Sequence, residues 1–160
     1  MKFSKRLEKT KNIKQVFDLV KEAVSSTLHE SRAGLDIGFM ELGNTQTDVT
    51  EAFYPVESNI IILNKTPIRR LTETNNQLIK PYLFTVLLHE YLHSLGYLDE
   101  QSVRQLAYQI CSAVFEEEHP SIQIAQDLNK FLPYITYPEG YQGNPTTLDV
   151  IEVEHQDYIG

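Results

Sequence analysis

The feature that most limits how this chain can fold is the segment Tyr82–Leu95, YLFTVLLHEYLHSL. It is apolar on nearly every side of a helix, which predicts a buried central helix rather than an amphipathic surface helix. Gly96 is well placed to end it. The same segment contains His89, Glu90 and His93, whose burial costs roughly a few kcal/mol each unless they are paired. A fold built around this helix must therefore satisfy two imidazoles and a carboxylate in its interior.

These three residues form an H-E-x-x-H motif. At about 100° per residue, His89 and His93 lie only about 40° apart around the helix axis, so both imidazoles can reach one ion. Glu90 projects about 100° from His89, beside the ion, which suits a general base. Zinc accepts imidazole ligands and leaves a position open for water, whose proton a neighbouring carboxylate can take. One divalent cation satisfies all three groups, and we expect Zn²⁺ as the cofactor.

The motif continues as Ser94-Leu95-Gly96-Tyr97-Leu98-Asp99. From composition, H-E-x-x-H arises by chance in roughly one of 70 such chains, and requiring Gly96 and Asp99 as well lowers this to roughly one in tens of thousands. Glycine permits the left-handed turn that ends the helix, and three residues on the chain can bring a carboxylate back towards the ion. Asp99 is thus predicted as the third metal ligand. Aspartate is also a preferred N-cap for the helix that follows, and both roles stay open.

The pattern His89-Glu90-x-x-His93-x-x-Gly96-x-x-Asp99 resembles that of the zincin metallopeptidases, specifically the metzincin-type variant with aspartate as third ligand found in snapalysin-like peptidases. The small archaeal minigluzincin-like proteins are similar in size. The resemblance implies an α+β fold, a short mixed β-sheet packed on a buried active-site helix with additional helices. It also implies that His89 and His93 bind zinc and that Glu90 is the catalytic general base. The strand Ile60–Asn64 would align an extended peptide.

The chain departs from two zincin patterns. Metzincins carry a methionine turn downstream of the motif, whereas Met1 and Met40, the two methionines here, both precede it. Gluzincins take their third ligand from a glutamate on a later helix, and a run of acidic residues lies at such a distance. The alternatives to Asp99 as third ligand are Glu116, Glu117, Glu118 and His119. His119, Tyr54 and Tyr137 are candidates for stabilising an oxyanion.

Hydrophobic periodicity organises the rest of the chain. Amphipathic helices are predicted over 11–29, from Asp99 as N-cap to about Phe115, and around Ile122–Leu132, with a shorter helix over Ile68–Thr74. Strands are predicted over Leu35–Leu42, Ala52–Tyr54 and Asn59–Leu63. We expect one zincin-like metallopeptidase domain over residues 1–133. Residues 134–160 form an acidic C-terminal tail that we expect to be peripheral or partly disordered, strand-like only over Leu148–Val153.

Charge and cysteine content narrow the function. The 160 residues carry a net charge of −8, which disfavours nucleic acid as a partner because phosphate binding needs a basic face. A single cysteine, Cys111, cannot build a thiolate metal site, so histidine and carboxylate must hold any metal. No apolar run reaches the about 20 residues that cross a bilayer, and the N-terminal sequence lacks a signal-peptide pattern. We therefore expect a cytoplasmic protein with a peptide or protein substrate and no membrane partner.

The sequence predicts a zinc metallopeptidase, a hydrolase in which a metal-activated water attacks the peptide bond with Glu90 as general base. Two alternatives stay open. The segment His89–Tyr97 also resembles the metal motif of small bacterial rRNA-maturation endoribonucleases, although Glu90 and Asp99 stand where that family has glycine and histidine. The other alternative is a non-catalytic zinc-binding regulatory module whose acidic tail occupies the cleft.

Overall fold

The computed structural model describes residues 1–151 and residue 153. This part of the chain forms seven α-helices and a four-stranded mixed sheet, which confirms the predicted α+β class. The helices are α1 (Phe3–Glu8), α2 (Ile13–Leu28), α3 (Lys65–Thr74), α4 (Ile79–Ser94), α5 (Glu100–Val114), α6 (Pro120–Gln126) and α7 (Leu132–Ile135). The strands are β1 (Asp36–Asn44), β2 (Ala52–Phe53), β3 (Ile60–Asn64) and β4 (Tyr141–Ile151). Short 3-10 helices span Asn76–Leu78 and Leu128–Phe131.

The chain divides into two compact units. The helical unit comprises Met1–Ser31 and Gln77–Lys130 and contains α1, α2, α4, α5 and α6. The sheet unit comprises Arg32–Asn76 and the chain from Phe131 onwards, with the four strands, α3 and α7. The predicted boundary after residue 133 therefore separates β4 from the strands with which it shares a sheet.

Helix α4 is the centre of the helical unit, where it packs against α1, α2, α5 and α6. The predicted buried helix over Tyr82–Leu95 is confirmed, and it begins earlier, at Ile79. Tyr91 is fully buried and meets the ring of Phe17 from α2 edge-on, with ring centroids 5.6 Å apart. Because α4 is enclosed by other helices, its polar residues need partners inside the unit.

Helix α2 carries the predicted apolar stripe and has a clear start signal. The side chain of Asn12 accepts a hydrogen bond from the backbone N–H of Gln15 at 2.9 Å. The side-chain oxygen of Gln15 in turn accepts a hydrogen bond from the backbone N–H of Lys11 at 2.6 Å. Such reciprocal caps satisfy N–H groups that the first helical turn leaves without partners. The helix ends at His29, whose left-handed backbone is the C-cap.

The sheet unit has the strand order β2-β3-β1-β4. β3 runs parallel to β1 and antiparallel to β2, and β4 runs antiparallel to β1. All three predicted strands before residue 64 are confirmed. The resemblance implied that Ile60–Asn64 is a free edge strand, and this is wrong. β2 pairs with β3 through Ala52 and Phe53. The continuous apolar run of β3 has the composition of an interior strand buried on both faces.

Asn64 fixes the end of β3. It is 1% exposed, and its Oδ1 accepts from the backbone N–H of Leu42 at 2.9 Å and of Thr66 at 3.0 Å. Its Nδ2 donates to the carbonyl oxygens of Gly43 at 3.0 Å and Thr50 at 2.9 Å. One buried amide thus joins β3, β1 and the first turn of α3. The predicted short helix over Ile68–Thr74 is confirmed as the later part of α3, for which Asn64 is the N-cap.

The predicted helix around Ile122–Leu132 is wrong as one continuous helix. The chain there forms α6, a 3-10 turn and α7. The break is at Asp127, which has an extended backbone and whose Oδ1 accepts from the backbone N–H of Asn129 at 3.1 Å. Aspartate forms such local turns in competition with the helix.

The last described strand, β4, begins at Tyr141, seven residues before the predicted strand at Leu148. Its first half is polar and its residues are mostly exposed, so it lacks the apolar alternation by which strands are recognised. Backbone pairing with β1 forms it instead, with a register shift between Phe39 and Glu41. Residues 152 and 154–160 of the predicted tail lie outside the described residues.

Candidate metal centre

The predicted motif lies in the last two turns of α4 and the tight turn that follows. Gly96 has φ +107°, a conformation that favours glycine, and it ends the helix as predicted. The backbone N–H of Gly96 donates to His93 O at 3.0 Å, and that of Tyr97 donates to Leu92 O at 3.2 Å. This pair of bonds is a Schellman motif, which satisfies the last carbonyls of a helix and reverses the chain. The reversal brings the start of α5 back to the end of α4.

His89 and His93 face each other on one side of α4. Their Nε2 atoms are 3.2 Å apart, which confirms that the i, i+4 spacing turns both imidazoles towards one point. Both rings are partly enclosed, with side-chain exposures of 23% for His89 and 13% for His93. Burial lowers the pKa of His89 despite the opposing effect of the nearby Glu100 carboxylate. A neutral imidazole is the form that binds a metal ion.

The backbone fixes the orientation of His93. Its Nδ1 lies 2.7 Å from the carbonyl oxygen of Tyr97, and a carbonyl only accepts, so Nδ1 carries the proton. In a neutral ring the lone pair is then on Nε2, which points towards His89. Hydrogen bonds of this kind set the ring orientation of metal-ligating histidines. The Tyr97 hydroxyl in turn donates to the carboxylate of Glu30, next to the C-terminal end of α2.

Glu90 is the buried acid of the site, with an exposure of only 6%. Ligand atoms of His89, Glu90 and His93 all lie within 4.8 Å of one another. Burial raises the pKa of Glu90 to about 7, with a further upward effect of Glu100 and an opposing effect of His93. A carboxyl group that titrates near neutral pH can both take up and return a proton.

Glu100, the first residue of α5, also reaches the histidine pair. Its Oε2 is 3.0 Å from Nε2 of His89, and its Oε1 is 2.7 Å from Nε2 of His93. Partial burial acts to raise the pKa of Glu100, but the two imidazoles outweigh it and lower that pKa. Glu100 was not among the predicted site residues, because the recognised motif ends at Asp99. The available signal was the adjacent acid at the first position of the next helix.

Asp99 lies outside this cluster. Its Oδ2 accepts from the backbone N–H of Ser102 at 2.9 Å and from the Ser102 hydroxyl at 2.7 Å, so Asp99 is the N-cap of α5. Hydrogen bonds from Ser102 lower the pKa of Asp99. Of the two roles left open for Asp99, the structure shows the cap, and metal ligation stays a prediction.

Of the other predicted third ligands, Glu116 and His119 have partners of their own. Glu116 accepts from the Ser4 hydroxyl at 2.9 Å, and Glu117 and Glu118 are exposed in the turn after α5. His119 is the N-cap of α6, accepting from the backbone N–H of Ser121 at 3.1 Å, and its ring stacks on Phe115 with centroids 4.1 Å apart.

The two tyrosine candidates, Tyr54 and Tyr137, belong to the sheet unit. The Tyr54 hydroxyl donates to the Ser58 carbonyl at 2.8 Å and contacts the Arg32 guanidinium at 2.8 Å. The guanidinium of Arg70 lies over the Tyr137 ring, 5.2 Å from its centroid. Both side chains therefore have structural partners within the sheet unit.

The donor atoms of the cluster fit a small divalent cation. In a tetrahedral zinc site with ligands at about 2.0–2.1 Å, neighbouring ligand atoms are about 3.3 Å apart. The separation between the two Nε2 atoms of His89 and His93 is 3.2 Å, and Glu100 oxygens lie at 2.7 and 3.0 Å from them. Imidazole nitrogen with carboxylate oxygen is a donor set that zinc accepts. These side chains could hold a zinc ion.

No protein-family model, curated protein or solved structure matches this chain. Among the described residues, no helix is long and apolar enough to cross a membrane.

Proposed function

We propose that the protein is a zinc-dependent metallopeptidase of the zincin type. The observation that supports this function is the pairing of the His89 and His93 Nε2 atoms, 3.2 Å apart, beside the buried carboxyl group of Glu90. Two imidazoles that point towards one position can supply two ligands to a metal ion. The adjacent carboxyl group of Glu90 would then act as the general base.

His89 and His93 would hold the ion from the end of α4, and a nearby carboxylate would complete the protein's donor set. When bound, zinc supplies a Lewis acid that activates water and polarises a substrate carbonyl. The chain contributes fixed geometry, because His93 is oriented by the Tyr97 carbonyl and the helix itself sets the spacing of His89 and His93. Preorganised donors bind without reorganising at the moment of reaction.

Glu90 moves the proton in this proposal. Its carboxylate takes a proton from the attacking water and then returns it to the amine that leaves as the peptide bond breaks. The carboxyl group lies beside the histidine pair, where it would be within reach of a water on the ion. Its low exposure keeps bulk water from competing for that proton.

The test combines zinc analysis with a peptide-library cleavage assay on the full chain. The wild-type protein should bind one zinc ion and cleave peptides, and chelation should abolish cleavage until zinc is restored. Glu90→Gln should keep its zinc and lose at least about 100-fold in kcat/KM, because it removes the proton acceptor while keeping the shape of the side chain.

Matched samples with structured and single-stranded RNA serve as the substrate control. Cleavage of RNA without cleavage of peptides would show that the protein is a nuclease and not a peptidase. A zinc-bound wild-type protein that cleaves neither substrate would contradict the enzymatic proposal, and so would a Glu90→Gln variant that cleaves peptides at the wild-type rate.

A further inference from the structure

We infer that Glu100, rather than Asp99, is the third protein ligand of the metal ion. This inference rests on the proposed function, since it completes the site on His89 and His93. It is carried by the two contacts of the Glu100 carboxylate, one oxygen to each Nε2, at 3.0 and 2.7 Å. No other described carboxylate makes a hydrogen-bond contact with both imidazoles.

The polarity of these contacts favours a cation between them. Because Nδ1 of His93 donates to the Tyr97 carbonyl, the neutral ring presents a lone pair at Nε2, 2.7 Å from Oε1 of Glu100. Two lone pairs at that distance repel unless a proton or a metal cation lies between them. A zinc ion provides that charge and accepts both lone pairs, together with the Nε2 lone pair of His89.

The local backbone explains why the two adjacent acids differ. Asp99 has an extended backbone, and its Oδ2 is occupied by the N–H and the hydroxyl of Ser102. That cap fixes the start of α5, so Glu100 is always its first helical residue. From there the longer side chain of Glu100 extends back across the turn to the end of α4. Asp99 is therefore a positioning residue, and Glu100 is the ligand that it positions.

This division of roles also gives the site its donor set. The carboxylate of Glu100 brings a formal negative charge to two neutral imidazoles and can offer one oxygen or both. The Glu100 side chain is 60% exposed, so an ion can reach it without unfolding any element. Glu90 is buried beside the pair and, in this arrangement, serves proton transfer.

The test measures metal binding as well as activity. Zinc affinity is determined by competition with a chromophoric chelator, and the visible spectrum of the Co²⁺-substituted protein reports the number and type of ligands. Four full-length variants are compared with the wild type: Glu100→Gln, Glu100→His, Asp99→Asn and Glu117→Gln. Circular dichroism of the metal-free proteins checks that each variant keeps the native helix content.

Loss of a hydrogen-bond partner around a metal ligand typically weakens binding about 10–100-fold, so removal of a ligand should exceed that range. Glu100→Gln is expected to weaken zinc binding more than about 100-fold and to change the Co²⁺ spectrum. Glu100→His should restore binding with a shifted spectrum, because imidazole is itself a ligand. Glu117→Gln, the control for loss of one acidic charge, should match the wild type.

Asp99→Asn should stay within about tenfold of wild-type affinity with an unchanged Co²⁺ spectrum, because asparagine also caps helices. The inference is overturned if Asp99→Asn loses zinc and changes the spectrum while Glu100→Gln keeps both. It is also overturned if Glu100→Gln binds zinc as the wild type does. These outcomes are distinct from failure of the proposed function, in which the wild-type protein binds zinc but does not cleave peptides.

Discussion

The Nδ1 atom of His93 donates to the carbonyl oxygen of Tyr97, 2.7 Å away, across the turn formed by Gly96. The bond joins the last turn of α4 to the chain that follows it. It sets which ring nitrogen of His93 carries the proton, and so where its lone pair points. The conformation of one turn thus determines the orientation of the His93 side chain, a predicted metal ligand.

Gly96→Ala should weaken both folding and zinc binding. A side chain at φ +107° is strained although nothing lies within 4 Å of the added Cβ atom, so we expect a loss of about 1–2 kcal/mol in the free energy of unfolding. Relaxing that strain moves the Tyr97 carbonyl away from His93 and lowers zinc affinity. Urea denaturation and chelator competition measure the two effects.

The matched control for this variant is Gly34→Ala. Gly34 has φ +82° and also has nothing within 4 Å of an added Cβ, but it lies in the sheet unit. It should destabilise the protein to a similar degree without changing zinc affinity. Equal zinc affinities for Gly96→Ala and the wild type would show that the turn does not orient His93.

Tyr97→Phe separates the side chain of this residue from its backbone. The variant loses the hydrogen bond to Glu30 but keeps the carbonyl that accepts from His93. We expect a lower urea midpoint and a zinc affinity within about threefold of the wild type, since the lost hydroxyl makes no hydrogen bond to His89, His93 or Glu100. A large loss of zinc affinity would mean that Glu30 helps to orient the site through the tyrosine ring.

Cys111 should be unreactive in the native protein. It is fully buried, and burial raises the pKa of its thiol to about 12 from an ordinary value of 9.0. At pH 8 its reaction with a disulfide reagent should be slow in buffer and fast in denaturing urea, because the thiolate is the reactive form. Rapid labelling of the folded protein would contradict the buried position of this residue in α5.

The raised pKa of the Cys111 thiol also makes the free energy of unfolding depend on pH in the alkaline range. The native thiol keeps its proton between about pH 9 and about pH 12, where the unfolded thiol has lost it, so the free energy of unfolding should fall as pH rises through this window. Cys111→Ala should show a shallower decline. Urea titrations at several pH values test this, and parallel curves for the two proteins would refute it.

Asn64→Ala should be the most destabilising polar substitution in the sheet unit. It removes four hydrogen bonds of a buried amide and leaves backbone groups at Leu42, Gly43, Thr50 and Thr66 without that partner. We expect a loss of at least about 3 kcal/mol in the free energy of unfolding. Similar stabilities for Asn64→Ala and the wild type would contradict this assignment.

The parts of the site that the sequence predicted are those set by local geometry. A helix fixes the angle between His89 and His93 whatever surrounds it, and a glycine such as Gly96 is readily recognised as a helix end. The choice between Asp99 and Glu100 could not be made in this way. It depends on which acid caps α5, and therefore on the path of the chain between two helices.

Similar reasoning explains the errors in the fold. The apolar run Ile60–Leu63 predicts a strand but does not show which strands lie beside it. The pairing of β2 with its edge could therefore not be predicted. The strand from Tyr141 was missed because pairing with β1, rather than its own pattern, makes it a strand. The helix predicted through Asp127 has the right apolar spacing, but spacing alone cannot weigh a helix against a local turn.

The proposed donors His89, His93 and Glu100 lie within twelve consecutive residues, from the end of α4 through the turn to the start of α5. Closing so short a loop around an ion costs little chain entropy, so metal capture depends on two helix ends and the turn between them rather than on distant parts of the fold. A newly made chain could therefore acquire its ion early, before β4 has been synthesised. The same segment is also a compact candidate for transplantation into another helical scaffold.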